Sequence, residues 1–282
     1  YPELGMQEFR TSEKIVEYLD EMGIEYKKGV ANTGVVGIIR GKKEGKTVAL
    51  RADMDALSID EKNEVVYKSK IEGRMHACGH DAHMAIVLGA AKILNEMKND
   101  LKGNVKLFFQ PAEETVGGAK LMIEEGVMKE PKVDTVFGLH VAPEISVGKI
   151  GIRYGKMNAS SYSMKIIIHG ESIHGAYPHS GIDAIVIASH VVTALQSIVS
   201  RNVDPRKSAV VTIGSIHGGI CGNIIADKVE MVGTIRVLDC KTGEKVLNRI
   251  KEIVESVSKS FGGKGEVIIE EGYISLINDN DM

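Results

Sequence analysis

Met75-His76-Ala77-Cys78-Gly79-His80-Asp81-Ala82-His83 places three histidines and a cysteine within nine residues. Cys78 and His80 stand two residues apart and pair a soft sulfur with an imidazole, a combination that suits first-row transition metals. The apolar run from Met84 to Leu94 that follows reads as a helix. The partial positive charge of a helix N-terminus favours thiolate at Cys78. Three strand-like apolar runs end in further ligand-type residues: 47–55 in Asp53 and Asp55, 105–114 in Glu113 and Glu114, and 133–140 in His140. In open α/β sheets ligands bind beyond the carboxyl ends of the strands. These residues therefore predict a metal-binding cleft.

Thiolate, imidazole and carboxylate together, from Cys78, His80, Glu114 and His140, suit Zn²⁺ or Mn²⁺ and not a hard-oxygen calcium site. A cysteine nucleophile with a histidine base is the alternative; it leaves the paired carboxylates unexplained. Glu113 and Glu114 are adjacent, so at a strand end they point in different directions. One then binds metal while the other moves a proton. A solvated acidic turn is the plainer reading of such a pair, and the aromatic run Phe108-Phe109 before it argues for burial. Asp53 and Asp55 are common turn formers; an ordering role behind a ligand histidine suits them better than ligation. His76 and His83 compete as ligands, although helical geometry cannot bring every histidine to one ion. His169, His190 and His217 lack clustered partners and read as structural or surface residues.

Stepping from 8 to 155, helical and strand-like patterns alternate. Glu8 to Met22 predicts an amphipathic helix with Thr11 or Ser12 as cap. Strands follow at Val35–Arg40 and Lys46–Ala52, then a helix at Asp81–Asn99, a strand at Val105–Gln110, a helix at Gly118–Glu125 and a strand at Val133–His140. That order predicts a mostly parallel sheet covered by helices. Beyond it the pattern is β-α-β-β-α-β, with strands at Ser160–Ile168, Ser208–Ile216, Lys228–Val237 and Gly265–Glu271 and helices at Ile182–Ser200 and Thr242–Phe261, the order of a ferredoxin-like split unit. The expected organisation is an α/β chain: a catalytic domain of residues 1–155 and 271–282, and an inserted ferredoxin-like domain of residues 156–270. An open strand edge on the inserted domain suits pairing with a second copy.

Composition narrows the function classes. The chain of 282 residues is 43% hydrophobic and 26% charged, with a formal net charge of -3. No basic run favours nucleic acid. No apolar run is expected to span a membrane, and no signal peptide opens the chain. Three cysteines, an odd number, form no disulfide framework and suit a reducing, cytoplasmic compartment. A second polar cluster, His174-Gly175-Ala176-Tyr177-Pro178-His179, precedes Asn223 and Arg236. His174, Asn223 and Arg236 are able to donate to a carbonyl oxygen or a carboxylate, and equally suit a polar loop and a solvated strand.

With these residues in view the chain resembles the metal-dependent N-acyl-amino-acid amidohydrolases. This is the hippurate hydrolase and auxin-conjugate hydrolase branch of the aminoacylase and glutamate carboxypeptidase superfamily. The resemblance runs from Pro2-Glu3-Leu4-Gly5 to the end. It rests on Arg51-Ala-Asp-Met-Asp-Ala-Leu57, Met75-His-Ala-Cys-Gly-His-Asp81, Gln110-Pro-Ala-Glu-Glu114, Phe137-Gly-Leu-His140 and Gly170 through His179. It implies two divalent metal ions, Zn or Mn, with Cys78 bridging them and His80, Glu114 and His140 as ligands. It further implies Glu113 as catalytic base and acid, and Asp55 as the residue that orders a ligand. Asp53 stands where the wider superfamily has a first ligand histidine.

The resemblance also makes the inserted domain a lid that dimerises the protein, with His174 reaching the neighbouring subunit's site and Asn223 and Arg236 near the substrate. The implied activity is hydrolysis of the amide bond of N-acyl-amino acids, with a dipeptidase or aminopeptidase as the near alternative. The family's catalytic domain continues beyond residue 282 to a final ligand histidine. The remaining expectation is accordingly an inactive fragment that dimerises and binds metal weakly.

Overall fold

Alternation along Val105–Phe109 sets the centre of the first sheet. Leu107 and Phe109 face one side, Lys106 and Phe108 the other, and all four are buried. A strand buried on both faces needs a cover on each. In the computed structural model of the chain, which describes residues 1–280, the contacts divide into two compact units, Tyr1–Lys149 and Ile150 onward.

The first unit holds α1 (Phe9–Glu21), β1 (Glu25–Val30), β2 (Gly34–Arg40), β3 (Lys43–Asp53), α2 (His80–Glu96), β4 (Lys102–Gln110), α3 (Gly118–Glu124) and β5 (Thr135–Gly138). The sheet order is β1-β2-β4-β3-β5. Helix α1 buries Ser12, Ile15, Val16 and Leu19, the spacing of one helical face. With Met84, Val87 and Ala91 of α2 these cover Leu107 and Phe109. On the other face Met122 of α3 packs with Ala49 and Phe108.

Two expectations are corrected. The sheet is mixed rather than mostly parallel. Strand β4 runs parallel to β3, and β3 parallel to β5, whereas β2 is antiparallel to both β1 and β4. The charged run Glu25–Val30 carries no apolar alternation, so the strand that starts this hairpin was not legible. Thr11 and Ser12 are not caps either: both lie inside α1. The first-turn amides are instead satisfied from a distance by the Glu3 carboxylate, which accepts from Arg10 N at 3.2 Å and Thr11 N at 2.7 Å.

Strand β4 lies between β2 and β3, so the chain leaving β2 crosses the start of β4. Gly41 N donates to the Gly103 carbonyl at 3.0 Å there. A Cβ on Gly103, at φ +83, would sit 1.8 Å from the Lys46 carbonyl oxygen. Only glycine fits that crossing.

The second unit holds β6 (Gly155–Asn158), β7 (Ser160–His169), α4 (Ala184–Ser197), β8 (Ala209–Gly218), β9 (Lys228–Val237), α5 (Cys240–Ser260), β10 (Lys264–Glu271) and β11 (Leu276–Asn278). Its antiparallel sheet runs β10-β7-β9-β8. The connections from β7 to β10 follow the β-α-β-β-α-β order. Alternate residues Met164, Ile166 and Ile168 of β7 meet Val246, Ile250 and Val254 of α5 and Ile187, Val191 and Leu195 of α4. Strand β11 pairs with β6, so residues 276–278 lie within this unit; the last two positions of the expected 271–282 segment lie outside the described residues. Contrary to the expectation of no span, Ala184–Asn202 is long and apolar enough to cross a membrane by length and composition. Its residues Ala184, Ile187, Ala188, Val191, Leu195 and Ile198 nevertheless form part of the core.

Helix α5 begins at a strong cap. Asp239 Oδ1 accepts from Thr242 N at 3.0 Å and from Lys207 Nζ at 3.1 Å. The Thr242 amide, with Lys207 beside it, outweighs burial and holds the Asp239 carboxyl down at about 2. Asp239→Ala is expected to cost about 0.5–2 kcal/mol at neutral pH, read by urea unfolding. Because the folded carboxyl is the stronger acid, that contribution is complete above about pH 4, the ordinary aspartate value, and fades as pH falls toward about 2. Wild type and variant should therefore converge in strong acid; an undiminished gap there would put the effect elsewhere.

Candidate metal centre

The ligand-type residues of the first unit gather beyond the carboxyl ends of three adjacent strands. Asp53 closes β3, with Asp55 two residues on; Glu113 and Glu114 follow β4; His140 follows β5. Helix α2 starts at His80 and presents Cys78 and His80 from its N-terminal side. One donor atom from each of Cys78, His80 and His140 lies within 4.8 Å of the other two, and so do donors from His80, Glu113 and Glu114. His80 belongs to both groups and is only 1% exposed.

The adjacent glutamates do not point apart. Strand β4 ends at Gln110, and Ala112 takes a positive φ of 52°. The pair therefore sits in a turn, where strand alternation does not apply, and both carboxylates reach His80. Asp55 fixes that turn: its Oδ1 accepts from Glu113 N at 3.0 Å and its Oδ2 from Glu114 N at 2.9 Å. The same Oδ1 lies 3.4 Å from His80 Nδ1. Burial raises the Asp55 carboxyl, but His80 and the two amides lower it further, so it stays ionised. Burial, reinforced by the Glu114 charge, lifts the Glu113 carboxyl above the ordinary range.

The thiol departs from expectation. A hydrogen bond to Glu114 comes first among the causes, then burial and the charges of Glu114, Glu113 and Asp53; together they push Cys78 up to about 12. The surrounding carboxylates outweigh the helix N-terminus. A thiol among carboxylates and imidazoles has the donor set of a cation site, in which the cation's charge would reverse this shift.

The spacing around His80 fits an ion as well. Its Nδ1 is buried with no well-aligned hydrogen-bond partner, and its Nε2 lies 3.5 Å from Asp53 Oδ2 and 3.8 Å from Glu114 Oε1. These gaps are long for hydrogen bonds. They match the separation of about 3–4 Å between donors that share an ion at about 2.0–2.3 Å. His140 Nδ1 donates to the Val141 carbonyl at 2.7 Å, which leaves Nε2 as the nitrogen with a lone pair.

Asp53 links Arg51 to His83, a histidine that the sequence offers only as a competing ligand. Arg51 Nη1 donates to Asp53 Oδ2 at 2.7 Å, and Asp53 Oδ1 meets His83 Nδ1 at 2.7 Å. Burial raises the Asp53 carboxyl, and Arg51 with the two histidines more than reverses this. The signal for His83 was its place three residues after His80, on the same face of a helix.

The remaining candidates belong to the second unit. His174 and Ile224 form an isolated bridge, and Gly175 N donates to the Asn223 carbonyl at 2.7 Å, so His174 and Asn223 share one loop cluster. Arg236 lies on β9 and donates to Thr234 Oγ1 and, at 3.0 Å, to the Ile235 carbonyl. It lines a depression of about 330 Å³ with Ser161, Ser163 and Glu270.

Residues 49–279 match the peptidase family M20/M25/M40. The N-acetyl-L-cysteine deacetylase of Bacillus subtilis is 44% identical over 279 residues, 99% of this chain and 67% of that protein. The IAA-amino acid hydrolase ILR1-like 4 of Arabidopsis thaliana is 46% identical over 253 residues, 90% of this chain and 57% of that one. A solved Bacillus subtilis structure, described as a dinuclear metal binding peptidase from the M20 family, superposes with a TM-score of 0.86 at 35% identity. The match covers 99% of this chain and 72% of that one.

Proposed function

Because the chain belongs to the peptidase family M20/M25/M40, a family it matches over residues 49–279, we propose that it hydrolyses the amide bond of N-acyl-amino acids with two divalent metal ions. The convergence of Cys78, His80 and His140 with Glu113 and Glu114 on one buried imidazole carries this reading. The deacetylase and amino-acid hydrolase names of its relatives support the substrate class. Cys78, His80, Glu114 and His140 would hold the ions, and the thiol and imidazoles favour Zn or Mn. Bound there, such ions supply Lewis-acid activation of water and of the amide carbonyl.

The protein's own groups do the rest. Glu113 takes the proton from the attacking water and returns it to the leaving amine; its raised carboxyl pKa brings it closer to neutral pH, where a base is most effective. Asp55 orders both glutamates through their amides and braces His80. We assign the inserted unit of residues 156–270 the role of a lid through which two copies form a homodimer. In it His174 donates to the developing oxyanion, while Asn223 and Arg236 meet the substrate's polar groups. Three free cysteines support a cytoplasmic location.

Turnover of a panel of N-acyl-amino acids, dipeptides and free-amine peptides tests the reading. N-acyl-amino acids should be hydrolysed in Zn²⁺ or Mn²⁺ and not after chelation. Preferential cleavage of peptides with a free α-amine would replace the deacylase reading by an aminopeptidase.

A further inference from the structure

Both ring nitrogens of His83 are engaged. Val141 N–H donates to Nε2 at 2.9 Å, so that nitrogen carries no proton. The proton is on Nδ1 and donates to Asp53 Oδ1 at 2.7 Å. Asp53 is in turn held by Arg51, whose Nε donates to Gln110 Oε1 at 2.8 Å. His83 is 0% exposed and Asp53 2%. Asp53, His80 and His83 do place ligand-type atoms within 4.8 Å of one another. An ion taking His83 there would have to break one of its two well-formed hydrogen bonds.

We propose that His83 is a positioning residue that latches the peptide between His140 and Val141 and so presents the His140 ring to the metal centre. This rests on the reading of His140 as a ligand. The amide that His83 accepts from belongs to the peptide following His140, so the bond sets the backbone dihedral next to that ring. The Val141 carbonyl holds the ring's Nδ1 from the other side at 2.7 Å. The two imidazoles meet edge-on with centroids 4.7 Å apart, which limits rotation of the His140 ring. Gly79 makes room for the latch: at φ +80, a Cβ there would stand 2.4 Å from Val141 Cγ2. Beyond β5 the chain has no regular element until β6, and the amides of Ile145 and Lys149 bond within their own turns. The start of this stretch is therefore anchored by a side chain rather than by the sheet.

Co²⁺ titration of the full chain, followed by its absorption bands, tests the latch in four variants. His140→Ala should lose the high-affinity spectrum. His83→Ala should weaken Co²⁺ binding about ten- to hundredfold, the usual effect of removing a group that orients a ligand. His83→Gln, whose Oε1 reaches toward the Nε2 position and accepts from Val141, should recover most of the affinity and the wild-type bands. His83→Asn keeps a polar amide near Asp53 but is too short for Val141, and should stay weak. If His83→Ala does not fold, the contrast between Gln and Asn decides. Wild-type binding by His83→Ala, or equal recovery by Asn and Gln, overturns the latch. Wild-type binding by His140→Ala overturns the ligand reading instead.

Discussion

Glu113→Gln is expected to lower kcat by about a hundred- to ten-thousandfold while bound metal is unchanged. The amide keeps the shape of the side chain and removes the base. The residue is suited to that task by its surroundings: burial and the neighbouring Glu114 lift its carboxyl, so it gains a proton more readily than an exposed glutamate. Two measurements on the same preparation are needed, turnover of an N-acyl-amino acid and metal content by elemental analysis. A small loss of kcat with metal intact assigns the base elsewhere. Loss of metal shows that Glu113 and Glu114 have exchanged roles, an outcome their shared approach to His80 makes worth separating.

Cys78→Ala is expected to strip the metal centre, because the proposed site would lose the thiolate that sits with His80 and His140 in one donor cluster. Dialysed wild-type protein should retain two ions per chain and the variant none. The acid-base state adds a signature. Without a cation beside it the thiol stays protonated through the neutral range, since Glu114 and burial hold its pKa at about 12. Metal uptake must therefore expel that proton, and affinity should rise with pH. Calorimetry in buffers of different ionisation enthalpy reads the proton directly. Retention of both ions by the variant, or an unchanged proton release, would exclude Cys78 as a ligand.

Most of the site was legible because its residues follow apolar strands, and strand ends are where an α/β sheet gathers ligands. Glu113, Glu114 and His140 converge for that reason, whereas Cys78 and His80 enter from the start of α2 and were legible from their clustering. The less legible features depend on backbone conformation and charge. The turn at Ala112 brings both glutamates to His80, and an alternation rule written for strands does not describe it. The thiol was expected to ionise from its place before a helix, but three carboxylates not adjacent to it in sequence reverse that tendency. In the fold, β1 is hidden in the sequence because Lys27, Lys28 and Glu25 mask a strand whose full burial is confined to one end. The split β-α-β-β-α-β pattern, by contrast, is legible from the alternation of β7 and the order of the strand-like and helical runs after it, and its elements stand with ends moved by a few residues.

The insertion of β4 between β2 and β3 bears on how the protein reaches its native state. Ile39 of β2 pairs with Val105 on one side and Val48 of β3 pairs with it on the other, so β2 and β3, consecutive in the chain, are never neighbours in the sheet. The hairpin of β1 and β2 can form early from local contacts, but the sheet's middle closes only when a strand distant in the chain arrives. Such closure depends on non-local pairing and is slow relative to hairpin formation. Asp53 ends β3, and Glu114 and His140 follow β4 and β5, so no early, local piece of the chain contains the assembled centre. Metal capture therefore belongs after sheet closure on the folding route.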